Sequence, residues 1–275
     1  KSGVRTRQLP GVSPLVFSRF LLEKTAFLSL SDMGKALPSY EEIPIACRME
    51  EVVQTEYKRI EDALVQVLRS DRRAAQKILS AYLNLLTVYP DQPYDQKPIL
   101  YPDSDEPIVE PENIGDADTL GEKEQRTLEI VRAAIQNGER ALIYTSWVRT
   151  DSQQKLKRFL TDEGYRTEIL TDKIKTTDRE DWVQKKLAAG MQVLIVNPSL
   201  VETGLDLNAF TTLVFYSMGY KLFTLRQASR RSWRINQKAS AVKVYMLYYE
   251  DTMQQKCLKL MASKLAVAGL IEGNF

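Results

Sequence analysis

ALIYTSWVRTDSQQKLKRFLTDEGYRTEIL, residues 141–170, is the stretch whose reading decides the fold. ALIYTS (141–146) is a short apolar run ending in small polar residues, as a buried strand does. DSQQKLKRFLTDEG (151–164) sets Leu156, Phe159 and Leu160 on one helical face and stops at Gly164, a residue suited to the left-handed end of a helix. YRTEIL (165–170) is then the next strand. A strand, an amphipathic helix and a second buried strand in succession imply parallel pairing through a helical crossover.

The pattern continues downstream. TDREDWVQKKLAAG (177–190) reads as a helix capped by Thr177 or Asp178, and QVLIV (192–196) as a buried strand. TTLVFYS (211–217) and AVKVYMLYY (241–249) are two more strands, separated by an arginine-rich helix. A last helix runs through Cys257, Leu260, Met261 and Leu265. These strands suffice for an α/β fold with a doubly wound, mostly parallel sheet and flanking helices.

Upstream the organisation differs. EEIPIACRM (41–49) can form one strand, and the following EEVVQTEYKRIEDALVQVLRS (50–70) repeats Val53, Tyr57, Ile60, Leu64 and Val67 at helical spacing. RRAAQKILSAYLNLL (72–86) reads as a further helix, packed beside the sheet or projecting from it. Residues 89–118 are dense in Pro, Asp and Glu, which predicts an extended acidic connector with little regular structure. One use for it is a regulatory tether competing for a basic surface. The expected organisation is a strand and helical segment over 1–90, a connector over 91–121 and the main α/β domain over 122–275.

Composition narrows the chemistry. With 275 residues, 44% hydrophobic and 27% charged, the chain can bury a sizeable core. No apolar run approaches the roughly 20 residues of a membrane helix, so no membrane partner is expected. Location is expected to be cytoplasmic, or nuclear in a eukaryote. The only cysteines, Cys47 and Cys257, suggest neither a disulfide framework nor a CxxC site. The chain has no histidine, so His-ligated metal and Ser-His-Asp or Cys-His catalysis are excluded, and no metal-ligating residue is predicted. A start at Lys1 rather than Met suggests a piece of a longer polypeptide.

The chemistry that remains concentrates in FTLRQASRRSWRINQK, residues 223–238, where Arg226, Arg230, Arg231, Arg234 and Lys238 have no acidic residue among them. Three readings are open: a solvated helix face, a nucleic-acid patch, or a pair of guanidinium groups on one face that holds a nucleotide phosphate. The lack of acidic residues three or four positions from Arg230, Arg231 and Arg234 weighs against the first, and charge alone does not separate the last two.

Motifs add to this. QASRRSWRINQ (227–237) resembles the Q-x-x-x-R-x-x-R-I-G-Q signature of Swi/Snf-type ATPases of helicase superfamily two. VNPSLVETGLDL (196–207), ALIYTSW (141–147) and TTDREDWVQKK (176–186) resemble further motifs of that family, as do YSMGYKLFTLRQA (216–228) and ALPSYEEIPIACRMEEVVQTEY (36–57). LLTVYPDQP (85–93) falls where the family has a His-Pro turn. The segments follow the family's order over most of the chain. Departures are Asn236 for a glycine, Glu202 for another, and Asn197-Pro198 for a Ser-Thr pair.

The resemblance implies a RecA-like second lobe. A complete motor needs a phosphate loop of the G-x-x-x-x-G-K-[ST] type, and the nearest match, MGKA (33–36), lacks its Ser/Thr and first glycine. The chain is therefore expected not to hydrolyse ATP alone, to act with the N-terminal RecA-like lobe of the same polypeptide, and to share ATP and Mg2+, the metal being held mainly by that lobe. The resemblance assigns Arg234 as an arginine finger, Arg231 as its companion, and Gly204, Asp206 and Gln227 as the surface around the nucleotide. It assigns Thr145, Ser146, Arg179, Asn197 and Ser199 as contacts to DNA phosphates, most simply those of a duplex. The plainer alternatives are a turn glycine at 204, a cap at Asp206, strand-end caps at Thr145 and Ser146, packing under the adjacent loop for Trp147, and a core or cleft-wall aromatic at Tyr220. Functionally, an ATP-dependent DNA translocase stands first, against a strand-separating DNA or RNA helicase and a degenerate lobe that only binds.

Overall fold

The computed structural model describes residues 38–146, 152–201, 205–217, 232, 237 and 239–271. The arginine-rich stretch therefore lies outside the described residues apart from Ser232 and Gln237. In chain order the elements are β1 (Ser39–Cys47), α1 (Glu51–Ser70), α2 (Arg72–Val88), β2 (Ile99–Leu100), β3 (Pro107–Val109), α3 (Glu122–Gln136) and β4 (Ala141–Tyr144). They continue with α4 (Ser152–Asp162), β5 (Thr167–Leu170), α5 (Arg179–Ala188), β6 (Val193–Val196), β7 (Thr212–Phe215), β8 (Ala241–Tyr249) and α6 (Met253–Ile271).

Six strands form one parallel sheet in the order β1-β8-β7-β4-β6-β5. The residues of β4, β6 and β7 are all buried, because helices cover both faces of the sheet. Alternate side chains separate into two cores. Leu142, Tyr144, Leu194, Val196, Leu213 and Phe215 meet Val183 of α5 and Met261 of α6 on one face. Ala141, Ile143, Val193, Ile195 and Val214 meet Val131 of α3 and Leu156 and Leu160 of α4 on the other. The crossover from β4 to β5 runs outward and that from β5 to β6 runs back, so right-handed connections place α4 and α5 on opposite faces.

This is the α/β, RecA-like, doubly wound sheet expected from the sequence, with one strand more than its C-terminal half supplied. The extra strand, β1, pairs with β8 along its whole length. It is an edge strand, where Pro44 forfeits no ladder bond of consequence and exposed Glu41 and Glu42 discourage further pairing. Gly164, at φ +89°, ends the α4 turn as its position suggests. In α6, Cys257 and Met261 are buried, but Leu260 is 47% exposed. Consecutive helical residues stand about 100° apart, so Leu260 turns away from the face that Met261 presents to the core. Cys47 and Cys257 are buried and form no disulfide, and burial pushes the Cys47 thiol up to about 12. Among the described residues no helix is long and apolar enough to cross a membrane.

Helices α1 and α2 form their own core from Val53, Tyr57, Ile60, Leu64, Val67, Ile78, Tyr82 and Leu86. The acidic stretch docks on it rather than hanging free. Its β2 and β3 pair antiparallel, and Val109 enters the helical core. Glu56 of α1 accepts from the Glu112 N–H at 2.9 Å and pairs with Arg59 at 2.6 Å, while Arg59 also donates to the Glu110 carbonyl. Burial pushes the Glu56 carboxyl up, but these donors outweigh it and leave it below its ordinary value.

The helical pair joins the sheet through buried charge. Lys123, at the start of α3, is fully buried; its Nζ donates to Asp91 Oδ1 at 2.7 Å and to Gln254 Oε1 at 2.9 Å. It also lies 5.0 Å and 5.2 Å from the ring centroids of Tyr216 and Tyr249. Gln254 passes the bonding on to the Thr87 carbonyl and receives the Tyr249 N–H. Next to it, Glu124 accepts from Lys155 of α4 at 2.6 Å and from the Tyr216 hydroxyl at 2.8 Å. Burial pushes the Asp91 carboxyl above its ordinary value despite the Lys123 ammonium. Ionised Asp91 is thus costlier in the fold than in the open chain, and the pair fixes which segments meet more than it adds stability. In urea unfolding, Lys123→Ala is expected to lose about 3–5 kcal/mol by leaving Asp91 buried and unpaired, and Lys123→Met with Asp91→Leu to recover most of that loss.

Candidate nucleic-acid interface

The register of the sheet brings the carboxyl ends of three strands level. Tyr144 of β4 is aligned with Val196 of β6 on one side and Phe215 of β7 on the other. The chain leaving β4 crosses toward β5 at one edge of the sheet, and the chain leaving β7 crosses the other way, to β8 beside the opposite edge strand β1. The crevice between β4 and β7 is therefore a topological switch point, where open α/β sheets bind ligands.

Two serines occupy it. The Ser146 N–H donates to Ser217 Oγ at 2.7 Å, and Ser146 Oγ donates to the Ser217 carbonyl at 3.0 Å. On the β6 side, Asn197 Nδ2 donates to the Ser146 carbonyl at 3.2 Å. Asn197 Oδ1 accepts from the Ser199 N–H at 2.9 Å and the Ser199 hydroxyl at 2.6 Å, capping the short 3-10 turn Pro198–Leu200. One amide side chain thus stitches β4 to the turn after β6.

The other assigned residues take different places. Thr145 is fully buried; its N–H donates to the Val196 carbonyl and its hydroxyl accepts from Gln153 Nε2 at 2.7 Å, so it supports the edge from beneath. Arg179, the first residue of α5, donates to the carbonyls of Ile174 and Leu200. Asp206 Oδ1 accepts from the Asn208 N–H, a local cap of the kind its plainer reading gave. Gly204, Gln227, Arg231 and Arg234 lie outside the described residues, as do Trp147 and Tyr220. Of the set assigned to the nucleotide only Asp206 is described. Among the described residues no group of three or more acidic or cysteine side chains could hold a metal ion.

Five contributors escaped the sequence reading. Ser217 had a signal: YTS and FYS end neighbouring strands in the same register, which sets their serines side by side. Lys173 and Lys175, exposed on the turn after β5, bring positive charge to the same end of the sheet. Gln153 and Glu180 gave no signal, since each sits in a polar helix start. The α5 helix is not capped as expected: a 3-10 turn, Thr176–Asp178, precedes it, and the Thr177 hydroxyl bonds Asp178 rather than the helix.

Residues 122–236 match the helicase conserved C-terminal domain. An uncharacterised ATP-dependent helicase of Mycoplasma pneumoniae is 23% identical over 143 residues, which is 52% of this chain and 14% of that protein. Among solved structures, the C-terminal part of the Fun30 ATPase domain superposes with a TM-score of 0.64 at 14% identity, covering 82% of this chain and 90% of that one. The Sulfolobus solfataricus SWI2/SNF2 ATPase core in complex with dsDNA gives 0.60 at 19% identity, over 86% of this chain and 47% of that one. The C-terminal domain of a Sulfolobus solfataricus SWI2/SNF2 ATPase gives 0.57 at 19%, over 82% and 87%. The chain thus has the fold of a Swi/Snf-like helicase C-terminal lobe.

The stitch has a measurable consequence. Asn197→Ala removes the cap and the bond to Ser146 together, and is expected to lower unfolding stability by about 1–2 kcal/mol. Ser199→Ala, which leaves the capping N–H in place, is expected to lose less in the same urea titration.

Proposed function

We propose that this chain, a helicase C-terminal lobe of Swi/Snf-like fold, is the second motor lobe of an ATP-dependent DNA translocase that tracks along a duplex. One observation carries the reading: the strand-end segments at 145–146 and 197–199, far apart in sequence, converge on one edge of the sheet at its switch point. Short polar groups at strand ends suit phosphate contacts, which position a strand without reading its bases. Ser199, exposed at the rim, can rotate its hydroxyl from Asn197 to a phosphate, and Ser146 and Asn197 hold the rim in shape. Lys173 and Lys175, exposed on the turn after β5, supply positive charge at this edge, displacing counterions from the phosphates. The Sulfolobus core of similar fold is in complex with dsDNA, which supports a duplex as partner.

Hydrolysis in this reading belongs to the complete protein. ATP and Mg2+ are held mainly by a partner lobe with a phosphate loop, because no segment of residues 1–275 has the required Gly-Lys-Ser/Thr pattern. In this reading Arg234 supplies a guanidinium to the transferring phosphoryl group when the lobes close, and Arg231, three residues before it in the sequence, supports it. A fixed guanidinium in a partly dry site stabilises the charge that develops there. Gly204, Asp206 and Gln227 border that cleft. A strand-separating helicase is the second reading, supported by the Mycoplasma relative, an ATP-dependent helicase.

Steady-state ATP turnover of the complete parent polypeptide tests the proposal. Duplex DNA is expected to stimulate it more than single strands or RNA, and Arg234→Ala to lower the stimulated rate by about two orders of magnitude. Preference for single strands would favour the helicase, and an indifferent Arg234→Ala would leave a lobe that only binds.

A further inference from the structure

The first turn of α4 reaches the ends of two strands. Gln153 continues the stripe that Leu156 and Leu160 turn toward the sheet, and its Nε2 donates to Thr145 Oγ at 2.7 Å. Both side chains are buried, Thr145 completely. Two residues on, Lys155 turns to α3 instead, where its Nζ meets Glu124 Oε1 at 2.6 Å; the same oxygen accepts from the Tyr216 hydroxyl at 2.8 Å. Thr145 precedes Ser146 at the end of β4, and Tyr216 precedes Ser217 at the end of β7. Those two serines are the ones that hydrogen-bond to each other across the switch point. The start of α5 makes a comparable contact, Glu180 accepting the Asp206 N–H at 2.9 Å.

From this arrangement we infer that Gln153 and Lys155 are positioning residues for the strand-end edge. Gln153 fixes Thr145 next to Ser146, Lys155 fixes Tyr216 next to Ser217 through Glu124, and none of Gln153, Thr145 and Lys155 touches phosphate. The inference rests on the proposed reading of the edge as a DNA surface, and it changes the role that the family motifs give to Thr145. Burial carries it. A hydroxyl without exposed surface meets a phosphate only if the core beneath the edge opens. The amide of Gln153 stands at the end of an otherwise apolar stripe, where it is costly unless bonded, and Thr145 supplies the acceptor. The charge of Lys155 is already matched by a buried carboxylate.

A direct contact and a positioning pair differ in what a second substitution restores. If Thr145 donated to a phosphate, the loss caused by Thr145→Val would remain whatever stood at position 153. If Thr145 acts together with Gln153, each single substitution strands one buried polar group, and replacing both by apolar side chains removes the mismatch.

The test measures DNA-stimulated ATP turnover of the complete parent polypeptide with a defined duplex, at a temperature where urea titration shows each variant folded. Thr145→Val and Gln153→Met are each expected to raise the DNA concentration giving half-stimulation about fivefold, the scale of one lost neutral hydrogen bond, and the two combined to recover most of that loss. Lys155→Met is expected to raise it at least as much and to leave the logarithmic salt slope of DNA affinity unchanged. Adding Glu124→Gln to Lys155→Met, which still offers Tyr216 an acceptor oxygen but no buried charge, is expected to recover most of the loss. Either arm decides alone should a single variant of the other not fold. A Thr145→Val loss that persists in the combined variant would overturn the inference. So would a salt slope lowered by about one in Lys155→Met, as the loss of a phosphate contact gives, or single variants that lose stability in urea yet respond to DNA as the wild type does. A wild-type protein without any response to DNA would instead overturn the translocase reading.

Discussion

A buried ammonium group organises this molecule. Lys123 joins the turn after α2 through Asp91, the start of α6 through Gln254, and the aromatic ends of β7 and β8 through Tyr216 and Tyr249. Burying that charge without partners costs several kcal/mol, so the segments that supply the partners must meet around it. Glu124 extends the network to Lys155 of α4 and to Tyr216, the residue before Ser217. A chain of polar contacts thus runs from the helical pair to the strand ends where the candidate interface lies.

At that edge the hydrogen bonds serve placement. Ser146, Ser217, Asn197 and Ser199 bond mainly to one another, and Thr145 is held from below by Gln153. Such an edge is preorganised: a phosphate meets groups already ordered, so little conformational entropy is lost on binding. Among the described residues, Lys173 and Lys175 of the neighbouring turn bring positive charge to it.

Much of the fold was legible because both faces of a parallel sheet are covered, which turns its strands into short apolar runs such as ALIY, VLIV and TLVF. The α1 core positions were legible from helical spacing, and all of Val53, Tyr57, Ile60, Leu64 and Val67 are buried. The place of β1 was not, because EEIPIAC carries a strand pattern but nothing that names its neighbour. The acidic stretch hid its hairpin for a related reason: Ile99 and Val109 gain their role only from the helices beneath them. Lys123 was the least legible of all. In GEKEQR it reads as one charge among several on a solvated helix start, and its partners lie 32 and 131 residues away. The edge residues taken from family motifs do converge, whereas Glu180 and Gln153, which act through local hydrogen bonds, carry no pattern of their own.

The central claim is that the carboxyl edge of the sheet engages the phosphates of a DNA duplex, and the salt dependence of duplex affinity tests it most directly. For the complete polypeptide, the magnitude of the logarithmic salt slope is predicted to fall by about two when Lys173→Ala and Lys175→Ala are combined, at about 0.9 for each phosphate no longer neutralised. An unchanged slope and affinity in that double variant would place the DNA elsewhere on the protein and contradict the account.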